Sequence, residues 1–134
     1  MDHDRPVSLT FAPQTTTVIF LKLVAKDTPY WDRPDLGISK DDVAIKDRKV
    51  TVTVHSLGAV DVSATKLALM DANGTVITAA NVPALKAPLD LMPKTTTVTL
   101  TIPAGANVQG GSVVLDPDNT VKEITRVNNR VKLE

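Results

Sequence analysis

Residues 50–57, Val-Thr-Val-Thr-Val-His-Ser-Leu, alternate strictly between apolar and polar side chains. A period of two puts Val50, Val52 and Val54 on one face and Thr51, Thr53 and His55 on the other, the pattern of a half-buried strand. Residues 95–102 repeat it, with Thr96, Val98, Leu100 and Ile102 opposite Thr95, Thr97, Thr99 and Thr101. Residues 35–38 and 43–45 predict one short broken strand. Residues 66–71 and 75–78 predict the arms of a hairpin closed at Asn73-Gly74, a dipeptide suited to tight β-turns. Residues 82–85 predict a short edge strand limited by Pro83. Residues 112–115 and 121–124 flank Asp116-Pro-Asp-Asn119, which has the chemistry of a type I turn. No segment carries helical periodicity.

Upstream, the β-branched run at residues 15–24 predicts a further strand. Two prolines and four charges at residues 25–34 predict a semi-extended connector over 25–33, because residues before proline avoid the helical region. The expected organisation is a strand segment at residues 1–24 closing a preceding β-sandwich, a connector at 25–33, and a domain at 34–132. Short strands with turn signals every 8 to 12 residues predict an all-β, immunoglobulin-like antiparallel sandwich of about seven strands. Its expected core includes Val50, Val52, Val54, Leu67, Leu69, Val98, Leu100, Val113 and Leu115.

Composition agrees: valine, threonine and isoleucine supply 41 of the 134 residues. Fifteen basic residues balance fifteen acidic ones, so bulk charge gives no reason to expect a nucleic-acid partner. The uncharged stretch 95–115 is long enough to span a bilayer, but Pro103, three glycines, Asn107 and Gln109 interrupt it, and no membrane insertion is expected. The absence of cysteine removes disulfides, thiolate metal sites and cysteine nucleophiles.

The remaining candidate chemistry is thin. His3 stands alone near the start, and His55 lies on the threonine face of its strand, a surface position. No serine has a nucleophile-elbow context. The carboxylates fall mostly at turns and strand ends, where solvation accounts for them. Asp116, Asp118 and Asn119 are oxygen donors of the kind calcium takes, but Thr120 and Val121 break the calcium-loop pattern, and the turn already explains the first four residues. The expectation is no metal, no cofactor and no enzyme in this chain itself. Asn73-Gly-Thr75 matches a glycosylation sequon, although its role in the turn suffices to explain it. All four aromatic residues precede residue 32. Tyr30 and Trp31, beside Pro29 and Pro34, are read as packing the connector onto a neighbouring domain.

Together, Pro34-Asp-Leu36, the strand ending His55-Ser-Leu-Gly58, Val82-Pro-Ala-Leu85, Leu115-Asp-Pro-Asp-Asn119, Glu123 and Asn128-Asn129 resemble the bacterial cell-adhesion-related domain, CARDB. Ser56 departs from the family's usual Asn, and Thr125-Arg126 replace an Asn-Glu pair, removing a carboxylate from the tail. The resemblance implies an immunoglobulin-like, non-catalytic module of an extracellular, cell-surface or periplasmic bacterial protein. Residues 9–21 are similar to the closing sandwich strand that follows the catalytic barrel of many glycoside hydrolases. That likeness implies an accessory module that spaces or stabilises such an enzyme, its partner being the neighbouring domain of the same chain. The alternative is an adhesive module that binds polysaccharide or a cell-surface protein.

Overall fold

A computed structural model describes Val18 and residues 27–134. The expected strand at residues 15–24 and the likeness at 9–21 therefore lie, Val18 aside, outside the described residues. The described residues form the expected all-β antiparallel sandwich, two four-stranded sheets with eight strands among those residues. The first sheet is built on β3 (Lys49–Ser56), which pairs along its whole length with β6 (Lys94–Thr101). Its other edge takes β1 (Leu36–Gly37) opposite His55 and Ser56, then β2 (Val43–Lys46) opposite residues 49–52. These are the two pieces of the broken strand. The second sheet runs β5 (Val76–Val82), β4 (Thr65–Met70), β7 (Ser112–Leu115), β8 (Arg130–Lys132).

The alternating strands face as their pattern demands. Val50, Val52 and Val54 meet Leu67, Leu69, Val113 and Leu115 between the sheets, and all nine expected core residues are buried. The opposite face of the first sheet carries matched threonine pairs, Thr51 with Thr99 and Thr53 with Thr97.

Three expectations need correction. Residues 75–78 and 82–85 are not separate strands: β5 runs unbroken to Val82, Pro83 ends it, and Leu85 meets Val62 in an isolated bridge. Residues 121–124 form no strand. The Val121 N–H is given to the Asp116 carboxylate and the Ile124 N–H to the Pro34 carbonyl, so neither can join a ladder. β8 closes the sheet instead. The connector is not extended at its end, because Tyr30–Asp32 form a single 3-10 turn.

Candidate functional site

The densest polar arrangement lies where the Asp116-Pro-Asp-Asn119 turn meets the start of β1. The turn forms as its chemistry suggests: the Asn119 N–H donates to the Asp116 carbonyl at 3.0 Å, and Asn119 takes a left-handed φ of 56°. The Asp116 side chain points inward and is almost wholly buried. One carboxylate oxygen accepts from the Thr65 hydroxyl at 2.8 Å and from the Thr120 hydroxyl and N–H at 2.6 and 3.0 Å. The other accepts from the Val121 N–H at 2.9 Å and Arg126 Nη1 at 3.1 Å. Burial alone would raise this carboxyl. The Thr120, Val121 and Thr65 hydrogen bonds overcome it and hold the group well below the ordinary carboxylate range.

Glu123 makes the second centre. Its Oε1 accepts the Leu36 N–H at 2.9 Å, and its Oε2 accepts Arg126 Nη1 at 3.1 Å and the Asn129 side-chain amide. Asp35, the third, accepts the Asn128 side-chain amide at 3.1 Å and the Thr125 N–H at 3.4 Å. Burial raises the pKa of both carboxyls against these donors, and their mutual repulsion adds to the effect at Glu123. The Arg126 guanidinium thus bridges Asp116 and Glu123 and also donates to the Asp116 carbonyl at 2.6 Å.

Solvation therefore does not account for Asp35, Asp116 and Glu123. Sequence reasoning placed them at turns and tails, whereas they form a buried knot. The Asp-Pro-Asp-Asn and Asn-Asn motifs marked the region, but nothing local in the chain marks Glu123 as an inward residue. Of the three candidate cation ligands, only Asp116 enters the knot; Asp118 and Asn119 are exposed. Among the described residues no three His, Cys, Asp or Glu side chains converge as a metal site would require.

His55 is half-buried on the threonine face, with Nε2 2.7 Å from Asp42 Oδ1. Asp42 Oδ2 accepts the Ser39 hydroxyl at 2.8 Å. Serine and histidine thus contact the same carboxylate rather than each other, which is not the order of a nucleophilic triad. At the connector, the Arg33 guanidinium lies 4.4 Å from the Tyr30 ring centre and donates to the Thr28 carbonyl at 2.7 Å. Asp27 pairs with Lys122, tying the connector to the domain. Tyr30 and Trp31 themselves are exposed, Trp31 by 69%.

The CARDB family model matches residues 33–132. Two solved structures share the fold. One is the solution structure of a domain from Methanosarcina acetivorans, in a protein whose name assigns it provisionally to the cell surface. It is 23% identical with a TM-score of 0.58, covering 75% of this chain and 89% of the other. The other is the crystal structure of a CARDB domain from Pyrococcus furiosus in complex with di-metal ions. It is 24% identical with a TM-score of 0.51, covering 76% and 91% respectively. The search of curated proteins gives no match.

Proposed function

This chain belongs to the CARDB family, and from that premise we propose that it is a non-catalytic, in-line module of an extracellular or cell-surface protein. One observation carries the reading: the direction of the terminal strands. β1 starts beside Pro34, whose carbonyl accepts the Ile124 N–H, and β8, antiparallel to β7, runs away from the Asp116 end of β7, so both terminal strands run away from the knot. The buried knot fastens the first strand to the last segment, as Glu123 holds Leu36 and Asn128 holds Asp35. A rigid body suits spacing and holding, and the carboxylates at its centre are taken up by donors of the same chain, although the buried Asn128 and Asn129 side-chain oxygens have no partner among the described residues. No helix among the described residues is long and apolar enough to cross a membrane.

The cell-surface name of the Methanosarcina protein supports an exported setting. The parent we favour is a carbohydrate-active enzyme such as a glycoside hydrolase, with Tyr30 and Trp31 meeting its neighbouring domain. A metal ion such as the Pyrococcus domain holds would find no open acceptor on Asp116. Asp116 already accepts five hydrogen bonds, Arg126 supplies the positive charge between it and Glu123, and Asp118 and Asn119 face solvent.

Deleting residues 34–132 from the parent chain tests this reading. The expected result is a lower melting temperature for the remaining domains with their catalytic constants unchanged. Unchanged stability with loss of attachment to a surface would instead favour the adhesive module, which has the exposed Trp31 on its side.

A further inference from the structure

The β4–β5 hairpin carries the only Asn-x-Ser/Thr tripeptide in the sequence, Asn73-Gly-Thr75. An Asn-Gly hairpin would ordinarily explain the asparagine by its tolerance of left-handed backbone. The turn found here does not use it so. The Gly74 N–H donates to the Asp71 carbonyl at 3.1 Å, and the Asp71 N–H donates to the Thr75 carbonyl at 2.9 Å. The register shifts by one residue where Met70 meets Val76. This is a turn followed by a single left-handed residue, and Gly74, at φ 83°, is that residue; Asn73 is not among those with positive φ.

The side chain that stabilises the turn is Asp71, whose Oδ1 accepts the N–H groups of Asn73 and Thr75, both at 2.9 Å. Among the described residues the Asn73 amide makes no hydrogen bond, nor does the Thr75 hydroxyl. Asn73, Gly74 and Thr75 are all exposed, and a Cβ built on Gly74 would find no atom within 4 Å. The turn therefore needs Asp71 and Gly74 and leaves the asparagine and threonine free, on a tip open to a bulky group.

We propose that Asn73 is an acceptor for N-linked oligosaccharide, presented by Thr75 at the tip of this hairpin. The proposal rests on the exported setting argued above, since the donor is a polyprenyl-pyrophosphate oligosaccharide met outside the cytoplasm. In the transfer, Asn73 Nδ2 bonds to the anomeric carbon and gives up one proton to a base of the transferase. The bond from that carbon to the pyrophosphate oxygen breaks, and the lipid pyrophosphate leaves with the electron pair.

The test is transfer in vitro to the purified, folded chain by an oligosaccharyltransferase that reads Asn-x-Ser/Thr, with its lipid-linked donor, followed by peptide mass spectrometry. A gain equal to one glycan on the peptide containing Asn73 is expected. It should be abolished in Asn73→Gln and in Thr75→Ala and retained in Thr75→Ser. Because the assay reads the hairpin and not the compartment, it can fail without touching the exported reading, and the reverse also holds. No transfer to the folded chain, transfer that persists in Asn73→Gln, or a mass change no larger than deamidation would overturn the proposal.

Discussion

Glu123 accepts the backbone N–H of Leu36, 87 residues earlier in the chain, at 2.9 Å. That one bond joins the first strand of one sheet to the segment leading into the last strand of the other. Both partners are buried, so neither can turn to water when the other is lost. Asn129 and Arg126 converge on the same carboxylate, which makes it the hub of the tail.

Glu123→Ala should therefore cost about 3 kcal/mol, because it strands a buried N–H and leaves Arg126 one carboxylate short. Glu123→Gln keeps an acceptor for Leu36 and should cost about half as much. Urea unfolding midpoints measure both. Equal losses in the two variants would mean that the negative charge facing Arg126, and not the acceptor for Leu36, is what Glu123 supplies.

The pH profile should have two limbs with opposite signs. Glu123 and Asp35 have raised carboxyls, so the folded chain binds their protons first and acidification toward the ordinary carboxylate range, about pH 4, adds stability. Asp116 is depressed, so below about pH 4 the unfolded chain takes up its proton first and stability falls. Unfolding midpoints across this range check it, and Glu123→Gln should reduce the upper limb to the share Asp35 supplies and leave the lower limb in place.

Much of the fold is legible in the chain because β3 and β6 are long and face solvent on one side only. Their alternation of valine or leucine with threonine states both register and face. Other features are hidden for physical reasons. The β2–β3 turn places Asp47 and Arg48 in left-handed conformations, φ 51° and 61°, without glycine or asparagine to announce it. Val121 and Ile124 are spaced like strand residues, yet their N–H groups are taken by a side chain and by a distant carbonyl. The knot is hidden for the same reason: Glu123, Asp35 and Asp116 are buried by partners far along the chain, and no local pattern encodes such partners.

Gly58 follows β3 where the chain passes the connector. A Cβ there would stand 2.6 Å from the Asp35 nitrogen and 2.7 Å from the Arg33 carbonyl, both backbone atoms that cannot swing aside. Gly58→Ala should cost about 2 kcal/mol and loosen residues 33–35. Hydrogen exchange at Leu57, whose N–H donates to the Asp35 carbonyl at 2.8 Å, would report the loosening directly.

A domain that spaces and steadies its neighbour, as proposed, neither cleaves nor grips a polysaccharide. Co-sedimentation of the purified chain with insoluble xylan and cellulose, up to tens of micromolar protein, tests that most directly. The predicted result is no saturable retention, with Trp31→Ala indistinguishable from the unsubstituted chain. Saturable retention that Trp31→Ala abolishes would contradict the spacer role and make the exposed ring at the connector a binding platform.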